Sequence, residues 1–111
     1  MATNDDKLET SRTGLRPEVV ESIRGLARRN GIERVVLFGS RARGDYGRAS
    51  DIDLAVSGGR FAAFSLDVDE ETPTLLKYNF VSMDAEVQQE LMDEIRRDGC
   101  VLYEVAAPPP A

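Results

Sequence analysis

Histidine and tryptophan are absent from the 111-residue sequence, and cysteine occurs once. The lack of histidine excludes a Ser-His-Asp triad, an imidazole general base and every histidine-ligated metal centre. The single cysteine, Cys100, can form neither an internal disulfide nor a zinc site with several thiolate ligands. If the protein is an enzyme, its carboxylates, arginines, hydroxyls and backbone amides must therefore carry the chemistry.

Long apolar runs are also missing. No stretch approaches the roughly 18 residues of a membrane span, and the opening residues MATNDDKLET are polar and acidic, unlike a signal peptide. We therefore expect a cytoplasmic protein that does not bind a membrane. The length is that of one small domain, so a second domain that selects an acceptor is not expected within this chain.

The chain has fewer basic than acidic residues, and the basic residues are unevenly distributed along the sequence. The formal net charge is −6, yet residues 12–48 contain nine arginines and four acidic residues. The remaining residues contain five basic and sixteen acidic side chains. An acidic chain of this kind does not favour non-specific binding to nucleic acid, and we expect no direct contact with it.

Hydrophobic periodicity predicts strands interleaved with helices. The predicted elements are a helix from Pro17 with Gly31 beyond its end, strands over 34–38 and 51–56, a helix over 60–71, a strand over 75–81, a helix over 84–97 and an edge strand over 101–104. This order indicates an α/β (α+β) domain with a small mixed β-sheet of three to four strands flanked by helices. We assign the domain to residues 15–105 and expect disorder in the polar segment 1–14 and the proline-rich tail 106–111.

A Gly-Ser pair, Gly39 and Ser40, follows the predicted buried strand. A turn of this kind can present backbone N–H groups to an anion, although many such turns serve geometry alone. The next arginines, Arg41, Arg43 and Arg48, can hold phosphate oxygens through charge-assisted hydrogen bonds, or they lie solvated in a loop. The residues alone leave both readings open.

Two carboxylates, Asp51 and Asp53, share one face of a strand that is otherwise apolar. Alternation places them about 7 Å apart, where they repel each other unless a cation bridges them. Mg²⁺ suits such a pair because it takes oxygen ligands and keeps places for water and substrate phosphates. The competing interpretation is that both acids face solvent on an edge strand.

The combined pattern is Gly-Ser, ten intervening residues and Asp-x-Asp, within GSRARG and SDIDLAV. This pattern resembles the nucleotidyltransferases related to DNA polymerase beta, and among them the minimal nucleotidyltransferases of the MntA antitoxin type. The resemblance implies a polymerase-beta-like nucleotidyltransferase fold and two Mg²⁺ ions held by catalytic aspartates. It assigns catalysis and metal binding to Asp51 and Asp53, and nucleotide binding to Gly39, Ser40, Arg43 and Ser50.

Members of this family commonly carry a third carboxylate on the following strand. Alignment of LLKYNFV with that strand places Asn79 at this position. An asparagine offers a neutral oxygen ligand but is no general base. Asp67, Asp69 and Asp84 are substitutes in principle, although each lies in an element where a surface charge is the simpler interpretation.

The resemblance implies transfer of a nucleoside monophosphate, AMP from ATP, to a hydroxyl of a partner protein. In MntA-type proteins this partner is a HEPN-domain RNase toxin, so we expect an Mg²⁺-dependent antitoxin. One alternative is a weak or inactive homologue that binds nucleotide and neutralises its partner by contact, through the acidic segment 84–98. Another is a transferase for small molecules of the aminoglycoside type. The sequence leaves the base, the acceptor and any oligomer open.

Overall fold

The computed structural model describes residues 12–105. Its helices are α1 (Pro17–Arg29), α2 (Ser40–Arg43), α3 (Phe61–Glu71) and α4 (Gln89–Asp98), and its strands are β1 (Arg34–Phe38), β2 (Ile52–Ser57), β3 (Tyr78–Ser82) and β4 (Cys100–Glu104). Within this part of the chain the strands form one sheet in the order β3-β2-β1-β4. Strand β1 pairs antiparallel with β2 and β4, and β2 pairs parallel with β3. The predicted mixed sheet flanked by helices is confirmed.

The first and last residues of the chain were assigned to disordered segments, 1–14 and 106–111. These segments lie outside the described residues, apart from 12–14. Within those three, the Thr13 side chain is buried, and its backbone oxygen accepts a hydrogen bond from Arg41 Nη1 at 2.8 Å. The described fold therefore begins before residue 15, the predicted domain boundary.

Helix α1 begins at Pro17, which lacks the N–H that a first helical residue leaves unbonded. Its buried side chains recur at spacings of three and four: Val19, Val20, Ile23, Leu26 and Ala27. Gly31, with a φ of 67°, follows the helix end. With 13 residues, α1 is the longest helix that the structure describes, and no helix between residues 12 and 105 has the length and apolarity to cross a bilayer.

The two faces of the sheet differ in how deeply they are buried. One face carries the main core, in which β1 and β2 side chains pack against α1 and α3. The members from β1, β2 and α3 are Val35, Leu37, Ile52, Leu54, Val56, Phe64 and Val68. The other face carries a smaller cluster, in which Val36, Phe38 and Ala55 pack against Ile95 of α4. The alternation predicted for β2 is thus confirmed.

Strand β3 begins at Tyr78, three residues later than the predicted start at Leu75. Leu75 is fully exposed, and the chain turns there, with Thr74 N donating to Thr72 O and Leu76 N donating to Thr74 Oγ1. The predicted faces are correct from Tyr78 onward, because Phe80 packs on the main core and Val81 on the smaller cluster.

Helix α4 begins at Gln89, and the predicted start at Asp84 is wrong. Asp84 Oδ2 instead accepts a hydrogen bond from Gly58 N, in the loop after β2, at 2.7 Å. Ala85 N donates to Ser82 O, so the chain turns directly after β3. The acidic residue that looked like a first helical turn is therefore used in a loop contact. The other predicted elements agree with the structure to within about two residues at each end.

Candidate active site

Gly39 lies against the Asp53 carboxylate at the end of β1. The antiparallel register places Phe38 opposite Asp53, so the next residue of β1 passes directly beside that side chain. A Cβ atom on Gly39 would overlap Asp53 Oδ2. The backbone of Gly39, with φ 78° and ψ −158°, also lies in a region that is essentially restricted to glycine. Both the close contact and the dihedral angles therefore require glycine here.

Ser40 begins the four-residue helix α2, directly after Gly39. Its backbone oxygen accepts hydrogen bonds from Gly44 N at 2.9 Å and Asp45 N at 3.1 Å. Gly44 ends this helix in the left-handed conformation, with a φ of 90°. The Gly-Ser turn is therefore part of a compact link that returns the chain towards the loop before β2.

Asn79 joins the two aspartates. The parallel register pairs Asp53 of β2 directly with Asn79 of β3. Asn79 Nδ2 donates hydrogen bonds to Asp51 Oδ2 at 3.0 Å and to Asp53 Oδ1 at 2.8 Å. The structure thus brings together the two candidate metal ligands and the residue predicted at the third-carboxylate position.

The electrostatic surroundings of Asp53 raise its pKa above the ordinary value. Burial is the largest cause, because it disfavours the charged form. The hydrogen bond from Asn79 acts in the opposite direction, the nearby charges of Asp51 and Glu94 raise the pKa further, and the charge of Arg43 lowers it. The site therefore has an excess of negative charge around a partly buried carboxylate.

Arg43 connects α2 to α4. Its Nε lies 3.2 Å from Asp45 Oδ2, and its Nη1 lies 3.3 Å from Glu94 Oε2. The Arg43 side chain is 38% exposed, so a ligand can reach it. Glu94 was not singled out from the sequence. The only signal was its place in the α4 pattern, directly before the apolar position Ile95.

Ser50 closes a tight turn before β2. Its Oγ accepts a hydrogen bond from Gly47 N at 2.7 Å, and its own N–H donates to Gly47 O at 3.1 Å. The hydroxyl expected to bind nucleotide is therefore engaged in shaping the loop, and its neighbour Asp51 follows directly.

Arg41 is buried and cannot reach a phosphate in this arrangement. Its side chain is directed into the domain, and its guanidinium donates to three backbone oxygens, those of Thr13, Arg48 and Ser50. For Arg41, neither of the two readings left open by the sequence, a phosphate ligand or a solvated side chain, describes its place in the structure. Arg48 itself is exposed.

The three acidic substitutes considered for the third carboxylate lie away from Asp53. Asp67 and Asp69 belong to α3, which packs on the opposite face of the sheet. Asp67 accepts a hydrogen bond from Asn30 Nδ2. Asp84 contacts Gly58, beyond the far end of β2.

The oxygen donors at the site fit Mg²⁺. Between residues 12 and 105 no group of three or more His, Cys, Asp or Glu side chains could hold a metal ion. The available ligands are the carboxylates of Asp51 and Asp53 and the amide oxygen of Asn79. Asn79 N–H groups now occupy the position between the two carboxylates, where a positive partner is favourable. A hard cation that accepts a mixed set of oxygen ligands suits this arrangement.

Comparison with known proteins places this chain in a family. Residues 21–106 match the family of polymerase beta nucleotidyltransferases. The chain belongs to this family. The chain is also 36% identical to a Methanocaldococcus jannaschii protein named as a protein adenylyltransferase, in an alignment 84 residues long that covers 68% of this chain and 82% of that protein. Membership in the polymerase beta nucleotidyltransferases, predicted from the motif, is thus confirmed.

Two solved structures share the fold of this nucleotidyltransferase. A toxin-antitoxin crystal structure with AMP-PNP is similar at a TM-score of 0.62 and 22% identity, covering 78% of this chain and 73% of the other. A mutant of the MntA-HpeT toxin-antitoxin gives a TM-score of 0.61 and 20% identity, with the same coverage of 78% and 73%. At these identities the similarity establishes the fold alone.

Proposed function

We propose that this nucleotidyltransferase transfers AMP from Mg²⁺-ATP to a hydroxyl group of a partner protein in the cytoplasm. The observation that carries the proposal is the convergence of Asp51 and Asp53 on Asn79, with Asp53 beside the backbone of Gly39. The two carboxylates provide ligands for the metal. The glycine turn has no side chain in the way, so a triphosphate bound to that metal can approach the backbone closely. The match to the nucleotidyltransferase family supports the same reaction class.

The proposal assigns roles to four side chains of the site. Asp51 and Asp53 hold Mg²⁺, with the amide oxygen of Asn79 as a neutral ligand. Arg43 is exposed enough to turn from Asp45 and Glu94 towards the triphosphate. When bound, the metal neutralises phosphate charge and lowers the pKa of the acceptor hydroxyl. The chain itself contributes orientation and electrostatics.

The reaction joins the acceptor oxygen to the α-phosphorus of ATP. The bond between this phosphorus and the oxygen that bridges to the β-phosphorus breaks, and pyrophosphate leaves with the electron pair. The hydroxyl proton passes to solvent, because Asn79 is no general base. Without a base at Asn79, loss of this proton would depend on the metal lowering the pKa of the acceptor hydroxyl.

A protein acceptor is supported by the relatives. The Methanocaldococcus jannaschii relative is named for adenylyl transfer to proteins, and the two similar structures are toxin-antitoxin assemblies, one of them with AMP-PNP. We propose that the acceptor is a toxin of the HEPN type and that this chain is its antitoxin.

A second candidate function is neutralisation of the partner by contact. Asn79 favours it, because the strand position opposite Asp53 holds an amide instead of a third carboxylate. The start of α4 and the preceding turn form an acidic surface, with Glu86, Glu90 and Asp93 exposed, and such a surface suits a basic partner.

The test uses ATP labelled at the α-phosphate, Mg²⁺ and lysate from the source organism. The variants are Asp51→Asn/Asp53→Asn, Asn79→Asp and a matched control, Asp67→Asn, which removes a carboxylate on the opposite sheet face. We expect a labelled protein band with the parent and the control, and none with the double variant. ATP labelled at the γ-phosphate should give no such band.

The outcomes separate the two candidate functions. A band that persists in the double variant would exclude the proposed mechanism. A band produced by Asn79→Asp and not by the parent would favour neutralisation by contact, with a site disabled at one ligand. A band from both, stronger with Asn79→Asp, would measure how much the absent carboxylate costs in rate.

A further inference from the structure

The loop between α2 and β2, residues 44–51, carries Asp51 to the site. Few contacts of its own hold this loop. Ser50 and Gly47 form one turn within it. Ser40 O holds the start of the loop through Gly44 N and Asp45 N, and Asn79 contacts the Asp51 side chain. The backbone just before Asp51 is held by a residue outside the loop, Arg41.

Arg41 forms hydrogen bonds to the loop backbone at two residues and to the backbone of Thr13, near the start of the described chain. Its side chain is only 2% exposed. Nε donates to Ser50 O at 3.0 Å, Nη2 donates to Arg48 O at 3.4 Å, and Nη1 donates to Thr13 O at 2.8 Å. Ser50 immediately precedes Asp51, so the guanidinium holds the backbone one residue from a candidate metal ligand.

Tyr46 completes this arrangement from the middle of the loop. The Arg41 guanidinium carbon lies 4.8 Å from the centre of the Tyr46 ring, within range of a cation–π contact. The same ring fills the space in which a Cβ atom of Gly14 would stand, 2.6 Å from the ring carbon Cε2. The ring is partly buried and lies between Arg41 and the backbone at Gly14, next to Thr13.

Only arginine has donors in this geometry. The planar guanidinium carries five N–H groups in a fixed fork, which lets one side chain serve three backbone oxygens in different segments. A lysine ammonium is a compact charge with rotating donors and can serve fewer of these oxygens from one position. The buried positive charge of Arg41 is thus balanced by hydrogen bonds to backbone oxygens and by the cation–π contact with the Tyr46 ring.

We propose that Arg41 is a positioning residue that orders the loop 44–51 and thereby places Asp51 for metal binding. The loop-ordering part stands on the contacts alone. The effect on the metal rests on the proposed function. Because groups that orient metal ligands change metal affinity about 10- to 100-fold when they are replaced, the loss of Arg41 should be visible without any turnover.

The test compares Arg41→Met, Arg41→Lys and Tyr46→Ala with a control, Arg28→Met. Arg28 is exposed on α1, so this control removes the same charge away from the loop. Hydrogen exchange of the amides in residues 44–51 reports loop order. Mn²⁺, added alone and followed by electron paramagnetic resonance, reports the Asp51 and Asp53 site.

We expect Arg41→Met to speed amide exchange in the loop about tenfold or more and to raise the Mn²⁺ dissociation constant about 10- to 100-fold. Arg41→Lys and Tyr46→Ala should give smaller changes of the same sign, and Arg28→Met should change neither. Exchange in β1 and β2 should stay at the parent level, which distinguishes loop loosening from global unfolding.

Three results would overturn the proposal. Unchanged loop exchange in both Arg41→Lys and Tyr46→Ala would exclude the anchoring role. Faster loop exchange with unchanged Mn²⁺ affinity would exclude the effect on the metal ligands. Equal changes in Arg28→Met would show a general charge effect. If the parent binds no Mn²⁺, the proposed function fails instead, and amide exchange still decides whether Arg41 orders the loop.

Discussion

At Gly39, a backbone segment and a carboxylate occupy adjoining space in which no methyl group fits. The requirement for glycine there comes mainly from φ and ψ, and a Cβ atom would in addition displace the Asp53 carboxylate. Gly25 provides a contrast, because a Cβ atom there would meet no atom within 4 Å and the residue lies inside α1. The two glycines therefore predict opposite effects of the same substitution.

We expect Gly39→Ala to lower the free energy of unfolding by about 1–3 kcal/mol, the cost of strained backbone. Gly25→Ala should raise it by about 0.5–1 kcal/mol, because alanine loses less backbone entropy in a helix. Urea unfolding without added metal measures both. Similar changes of one sign would contradict the role assigned to the contact between Gly39 and Asp53.

The raised pKa of Asp53 makes its charged form unfavourable in the metal-free fold. Since the folded pKa lies above the unfolded one, the folded protein binds more protons between the two values. The contribution of Asp53 to stability therefore falls as pH rises through this window. Metal binding has the opposite dependence, because protons compete for the same oxygens.

We expect Mn²⁺ affinity to fall on acidification at a higher pH than an ordinary aspartate would give. Glu94→Gln removes a charge that raises the pKa of Asp53, so its midpoint should move to lower pH. Asn79→Ala removes a hydrogen bond that lowers this pKa, so its midpoint should move to higher pH. Paramagnetic resonance titrations across the acidic range provide the measurement. Shifts in the same direction would contradict the assigned causes.

Among the elements, the central strands were predictable and the starts of β3 and α4 were not. Strands β1 and β2 are buried on the face that their apolar residues indicate. Pairing between β2 and β3 begins at Ile52 and Tyr78, so the apolar residues Leu75 and Leu76 have no strand beside them. Their pattern favours a strand, but the partner is missing at that point. For Asp84, a tertiary contact with Gly58 replaces the predicted helical turn.

The candidate site was predictable as far as alternation and motif spacing reach. These place Asp51, Asp53 and Asn79 on one face, and the structure brings them into hydrogen-bond contact. The burial of Arg41 could not be predicted, because its acceptors are backbone oxygens distant in sequence. Glu94 reaches Arg43 only after α4 has docked on the sheet.

Docking of α4 depends chiefly on Ile95, the buried residue of that helix. We expect Ile95→Ala to lower the free energy of unfolding by about 2 kcal/mol. This is a small cost for replacing a buried isoleucine by alanine, because a groove of about 360 Å³ already adjoins the side chain. Amide exchange should rise more in α4 than in α1. A control is Leu66→Ala, since Leu66 is 57% exposed. Equal effects of the two variants would contradict this role of Ile95.

For the molecule as a whole, the main core and the candidate site are separated by the sheet. Helices α1 and α3 cover the face that contains most of the buried volume, whereas Asp53 shares the α4 face with the smaller cluster. Substitution of the candidate ligands therefore leaves the main core in place. Any increase in the free energy of unfolding on ligand binding should therefore depend on the candidate ligands, Asp51 and Asp53.

We expect Mg²⁺-ATP at about 100 times its dissociation constant to stabilise the fold by about 2.7 kcal/mol. For a domain of this size this raises Tm by on the order of 10 °C. The Asp51→Asn/Asp53→Asn variant should show no such shift, although it should unfold cooperatively. Differential scanning fluorimetry with Mg²⁺, ATP and both together measures this. An equal shift in parent and variant would place the nucleotide elsewhere.

The orientation of the Asn79 amide bears on how the site can bind a metal ion. Its nitrogen faces both carboxylates, and half a rotation about its last side-chain bond would present the oxygen instead. Asn79 is exposed, so this rotation displaces no packed side chain and breaks only the hydrogen bonds to Asp51 and Asp53. The protein can thus change from a hydrogen-bond donor to an oxygen ligand at this position without moving its backbone.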